Sequence, residues 1–110
     1  MAAEPTRHVR IYGLQLADGA RYRRYREGMT PILHRFGGAF GYDFEVARVL
    51  ASETERPIDR VFTMVFPDRA AADRFFADPD YLAVRLAWFE PAVASITPIA
   101  SFDEPAPAPG

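Results

Sequence analysis

The chain predicts an α+β sandwich, a four-stranded antiparallel sheet in the order of elements βαββαβ, with both helices on one face. Three observations carry this reading. Val61-Phe62-Thr63-Met64-Val65-Phe66 is apolar on both faces of a strand, because side chains alternate sides along it, so its sheet must be covered twice. Two stretches with apolar residues at three-to-four spacing each follow a strand-like stretch, the pattern of two β-α-β halves. With 110 residues the chain can build one layer of helices, so the second face of the sheet calls for another copy of the protein.

Residues 8–16 form the first strand, with Val9, Ile11, Tyr12, Leu14 and Leu16 ahead of the turn Asp18-Gly19. Over residues 20–36 the apolar stripe Tyr22, Tyr25, Met29, Ile32, Leu33 and Phe36 predicts an amphipathic helix, with Arg21, Arg23, Arg24 and Glu27 off the stripe. Gly37-Gly38 closes it, and Pro31 is expected to kink it near Glu27 or Gly28. In the second strand Phe40, Tyr42, Phe44 and Val46 alternate with Gly41, Asp43, Glu45 and Ala47, which predicts one aromatic and one partly acidic face. Residues 52–58 read as a solvated connection into the third strand. Pro67-Asp68 caps a helix over 69–77, and Asp78-Pro79 restarts one in which Tyr81, Leu82, Leu86 and Phe89 face inward. Residues 95–102 complete the sheet. The domain is expected to span 7–103, followed by a Pro/Ala-rich flexible tail over 104–110.

Composition narrows the function classes. A formal net charge of -2 and a pI near 5.6 argue against nucleic acid, whose phosphates call for a basic patch. All 13 basic residues are Arg. The chain has no Cys, which removes disulfides, thiolate nucleophiles and cysteine metal sites. Neither a signal-peptide core nor a membrane-length apolar run is present, so a cytoplasmic protein without membrane contact is expected.

Two β-α-β halves joined in this way make a ferredoxin-like sandwich. The segments Gly37-Gly38-Ala39-Phe40-Gly41-Tyr42, Arg60-Val61-Phe62 running into Phe66-Pro67-Asp68, and Phe75-Phe76-Ala77-Asp78-Pro79-Asp80-Tyr81-Leu82 resemble the domain-of-unknown-function family numbered thirteen-thirty. The likeness spans residues 8–103, and its most specific part is the Phe-Pro-Asp strand exit combined with Phe-Phe-x-Asp-Pro-x-Tyr. The resemblance implies a dimeric α/β barrel, two sheets face to face, and no agreed activity. A homodimer through the open sheet face also follows from physical chemistry. A standard interface buries roughly 800 Å² per partner, and half of that as apolar area is worth about 10 kcal/mol before association costs. The alternative cover for the third strand is the C-terminal segment, which is short and rich in Pro and Ala.

Residues able to carry chemistry are few. His8 and His34 are the only candidate neutral bases. His34 falls roughly 150° from the apolar stripe on a helical wheel and reads as solvent-exposed. No carboxylate stands at ligand spacing from either, so neither a metal nor a cofactor is expected. Asp43 and Glu45, about 7 Å apart along their strand, could share a proton or a cation, but charge protection of a sheet edge is the simpler reading. Glu53 and Glu55 read as surface. Aromatic residues point to a pocket instead: Tyr12, Tyr42, Phe44, Tyr81, Trp88 and Phe89 belong to elements expected to converge between sheet and helices. Arg60 and Arg85 could hold a carboxylate there in bidentate fashion. The ligand-binding candidates are thus Tyr12, Tyr42, Phe44, Arg60, Tyr81, Arg85 and Trp88. The leading expectation is a dimeric domain binding a small aromatic or carboxylate-bearing ligand. The alternatives are a cofactor-independent monooxygenase or isomerase, by analogy of fold, and a structural or regulatory dimer without ligand.

Overall fold

The computed structural model describes residues 5–107. The strands are β1 (Thr6–Leu16), β2 (Ala39–Glu45), β3 (Arg60–Phe66) and β4 (Val93–Pro105), in the sheet order β2-β3-β1-β4, and every neighbouring pair is antiparallel. The helices α1 (Gly19–Arg35), α2 (Arg69–Ala77) and α3 (Pro79–Val84) follow β1 and β3 (Arg60–Phe66). After α3 the chain makes a π-helical turn, Arg85–Phe89, and a short α4 (Glu90–Ala92) before β4 (Val93–Pro105). This is the βαββαβ order expected, and the α+β ferredoxin-like fold. No helix among the described residues is long and apolar enough to cross a membrane.

Local chemistry sets the element ends. Asp18, Asp68 and Asp78 each accept a hydrogen bond from the backbone N–H three residues on, satisfying one of the free donors that open a helix. α1 ends where Gly37 takes φ +74 and the Gly38 N–H bonds the Leu33 carbonyl, a left-handed stop open to glycine at low cost. α1 runs unbroken through Pro31.

The core sits between the inner sheet face and the helices. Phe62, Met64 and Phe66 of β3 and Leu14 of β1 meet Tyr22, Tyr25, Met29 and Leu33 of α1, Phe75 of α2 and Tyr81 of α3. Phe75 lies 4.3 Å from Tyr81, 5.0 Å from Phe76 and 5.8 Å from Phe66, centroid to centroid. The opposite face of β3 presents Val61, Thr63 and Val65, and Val65 aligns with Val9, which in turn aligns with Phe102. Among the described residues no helix covers that outer face; residues 46–59 reach part of it, where Ile58 lies over Gly13 and Arg56 bonds Thr97, and Val9 is 5% exposed.

Three expectations about elements are corrected. β2 (Ala39–Glu45) is not simply alternating, because the register against β3 shifts between Phe40 and Asp43. A β-bulge of this kind adds a residue and reverses the faces beyond it. Phe40 and Asp43 therefore both point to the helix side, aligned with Met64 and Phe62, while Phe44 aligns with Val61 on the outer side. Leu82 and Leu86 are exposed at 47% and 73%; the buried stripe runs one residue earlier, through Tyr81, Val84, Arg85 and Phe89. β4 begins at Val93 and extends to Pro105, because β1 offers partners as far as Thr6, and Arg7 holds Glu104 at 2.6 Å. Glu104 and Pro105 thus belong to the sheet, and the last part of the expected tail, 108–110, lies outside the described residues, as do residues 1–4.

Candidate functional site

The bulge in β2 assembles a charged cluster on the helix side of the sheet. Gly41 sits in it because a Cβ there would stand 2.5 Å from Thr63 Oγ1, and that hydroxyl takes the Tyr42 N–H at 2.8 Å. Asp43, turned inward, accepts two hydrogen bonds from Arg60, Nε at 2.9 Å and Nη2 at 2.8 Å. Arg26 of α1 reaches the same carboxylate, Nη1 to Oδ2 at 3.3 Å. The bidentate Arg60 bond, together with the charge of Arg26, holds the Asp43 carboxyl below the usual carboxylate range, and the same bond raises Arg60.

Arg26 is the centre of this cluster. Its Nε donates to Tyr22 Oη at 2.8 Å, and its guanidinium lies 3.8 Å from the Phe40 ring centroid and 5.0 Å from that of Phe62. Its Nη2 is buried and has no hydrogen-bond partner among the described residues. A buried guanidinium donor left unpaired costs on the order of 1–3 kcal/mol. Glu45, aligned with Arg60 across the strands, adds a second carboxylate near the two guanidiniums, and the side chains of Arg26, Arg60 and Asp43 keep 17%, 24% and 30% of their surface in contact with solvent. The arrangement suits an anionic oxygen ligand, with Phe40, Phe62 and Tyr22 as an aromatic floor.

Deeper between α1 and α3, the Tyr25 and Tyr81 hydroxyls share a hydrogen bond of 2.9 Å. Burial pushes both phenols up, and their proximity to one another adds to the effect on Tyr25. Burial also raises Tyr22, opposed by Arg26 and Arg60. Arg85 lies over the Phe89 ring at 4.8 Å and pairs with Glu90 at 3.5 Å.

The seven ligand-binding residues read from the sequence do not converge on one cleft. Arg60 belongs to the charged cluster. Tyr12 packs against Phe62 and Phe76, and Tyr81 is buried against Phe75. Tyr42 and Phe44 stack on each other at 5.7 Å, exposed at the sheet edge, because the bulge turns Phe44 outward. Trp88 lies beneath the Arg24 guanidinium at 5.7 Å, and Arg85 is bound into the Phe89 end of the helical layer. Sequence reasoning missed Arg26, although a signal existed: it stands four residues after Tyr22 and three before Met29, on the buried stripe. An arginine on such a stripe needs a partner. Asp43 and Glu45 do not act as a carboxylate pair, since Asp43 is engaged by the two arginines. His34 is exposed, as read from the wheel. Among the described residues no group of three or more His, Asp or Glu could hold a metal ion.

A cavity of about 360 Å³ lies on the other side of the sheet, between residues 46–59 and the Thr97–Ile99 stretch of β4. Ser52, Glu53, Thr54 and Ile58 form its loop wall. None of the seven predicted residues lines it.

A family model described as Domain of unknown function (DUF1330) matches residues 10–96. No curated protein matches the chain. Among solved structures, the RPA0582 protein of unknown function from Rhodopseudomonas palustris superposes with a TM-score of 0.71 at 19% identity, covering 97% of this chain and 86% of that one. A dabb family protein with a ferredoxin-like fold from Mesorhizobium loti gives 0.58 at 18% identity, covering 94% and 99%. A dimeric protein of unknown function and ferredoxin-like fold from Bacteroides fragilis gives 0.54 at 12% identity, covering 91% and 96%. Identities this low speak to the fold alone.

Proposed function

Since the chain belongs to the DUF1330 family, a domain of unknown function, we propose that it is a homodimeric domain that binds a small aromatic carboxylate or a similar anion between its sheet and helices. The observation that carries this reading is the buried Arg26 Nη2, which lacks an acceptor while its guanidinium rests on the Phe40 ring. A ligand oxygen at that point supplies the missing acceptor, and Arg60 stands ready to take the second oxygen if Asp43 yields it. A flat ring then stacks on the exposed side of the Arg26 guanidinium, whose other side rests on Phe40.

Benzoate and salicylate are suitable probes. At about 100 times its dissociation constant, a bound probe adds roughly 2.7 kcal/mol to stability, read as an upward shift of the thermal midpoint. Arg26→Met keeps the apolar stem and removes the donors. It is expected to weaken the probe by about 10- to 100-fold, the worth of a charged hydrogen bond. A midpoint that ignores both probes at millimolar concentration, or a shift retained in full by Arg26→Met, would refute the reading.

The dimer is proposed through the outer face, where Val65 and Phe102 flank the buried Val9 and no helix among the described residues lies above them. Phe102 is 40% exposed and Ile99 50%. Exposed apolar side chains on an uncovered sheet face favour a partner, and the dimeric Bacteroides fragilis protein of like fold supports the choice of a second copy. Light scattering after size exclusion is expected to give twice the 12.4 kDa chain mass. Val65→Asp with Phe102→Asp is expected to give single folded subunits, since each carboxylate would have to be buried in the interface. A wild-type protein that runs as a single subunit would remove this part of the proposal.

A further inference from the structure

His8 is buried, 3% exposed, and takes no part in the charged cluster. It lies at the opposite end of the sheet, where β1 and β4 run side by side. Cross-strand register aligns His8 with Asp103 and Arg10 with Ser101. His8 Nδ1 is 2.7 Å from Asp103 Oδ1, and Ser101 Oγ is 3.3 Å from His8 Nε2. Arg10 Nε donates to the same Nε2 at 3.0 Å, while its Nη2 is anchored on Asp73 of α2 at 2.8 Å. This network fixes the tautomer. With Nε2 accepting from Arg10, the imidazole proton resides on Nδ1 and is donated to Asp103; the single Nε2 lone pair is held by the Arg10 N–H, and the Ser101 hydroxyl, 3.3 Å away, takes it over when Arg10 moves aside.

We propose that Ser101, His8 and Asp103 form a nucleophilic centre that reacts with activated esters and other acyl or phosphoryl electrophiles, separate from the anion site. The roles are those of a hydroxyl nucleophile, a base within hydrogen-bond reach and a carboxylate that orients the base. Ser101 is exposed and shares the helix side of the sheet with His8, away from the proposed dimer face. As Oγ forms its bond to the carbonyl carbon, its proton passes to Nε2, and His8 then delivers it to the departing alkoxide. Water releases the acyl group by the same path in reverse. Arg10, displaced from Nε2 but still tethered by Asp73, stands beside the oxygen that gains negative charge.

A fluorophosphonate probe tests the centre directly: the Ser101 oxygen forms a bond to phosphorus, fluoride departs, and its proton leaves by way of His8. Intact mass spectrometry is expected to show a single adduct, mapped by peptide fragmentation to Ser101 and absent from Ser101→Ala. His8→Gln should slow labelling by at least about 10-fold, the lower range of general-base effects being nearer 100-fold. Because His8 is buried and its replacement could unfold the strand pair, Asp103→Asn is the second variant. Asp103 is 63% exposed in its side chain, so folding should survive, read by circular dichroism, while labelling slows as the orienting carboxylate is lost. No adduct on the wild-type protein, an adduct elsewhere, or unchanged labelling of folded Asp103→Asn would overturn the proposal.

Discussion

Above pH 10 the folded protein is expected to lose stability as pH rises, at up to roughly 1.4 kcal/mol per pH unit for Tyr25, with Tyr22 and Tyr81 adding in the same direction. Tyr22, Tyr25 and Tyr81 are at most 5% exposed, and burial raises all three above their ordinary value of 10.0. In the unfolded chain these phenols ionise near 10, whereas in the folded protein they keep their protons. The unfolded state thus binds fewer protons above that pH, and unfolding becomes easier as pH rises toward the folded values. Below pH 10 both states hold the protons and the contribution is intact. The chain has no Lys, so no ammonium titration overlaps this window. Denaturant melts at pH 8, 10 and 11, with tyrosinate absorbance followed alongside, measure the slope. Tyr81→Phe should reduce it. Three phenols that ionise near 10 in a protein that stays folded would contradict the packing described for α1 and α3.

Phe75→Ala is expected to cost about 3–5 kcal/mol, the range for deleting a fully buried aromatic side chain. Phe75 is 0% exposed and touches rings on every side, with centroids of Tyr81, Phe76, Phe66 and Phe36 at 4.3, 5.0, 5.8 and 6.1 Å. These rings come from the residue just after α1 and from β3, α2 and α3, so a void here loosens several elements from the sheet at once. For a domain of this length the thermal midpoint should fall by more than about 12 °C. Phe76→Ala, at a half-buried position, should cost less. A Phe75→Ala loss below about 1 kcal/mol would mean that the neighbours close the void, and that this aromatic cluster is not the centre of the core.

The fold was legible because its signals are local. Asp68 and Asp78 read as caps, each one residue ahead of its helix, and both accept the expected N–H. The doubly apolar β3 declared a central strand, and it lies between β2 and β1. The site was less legible, for three physical reasons. The bulge at Gly41 and Tyr42 depends on how β2 meets Thr63, a contact 21 residues away. Arg26 was hidden by its charge, since apolar residues alone were used to trace the stripe it belongs to. His8 and Asp103, 95 residues apart, become neighbours only through the register of β1 against β4, which periodicity does not determine.

The extra residue in β2 places the orientation of an entire edge strand under the control of one codon. Deleting it would restore simple alternation, send the Asp43 carboxylate to the outer side and bring Phe44 in among the helices. Arg26 and Arg60 would then both be stripped of their counter-charge without either being altered.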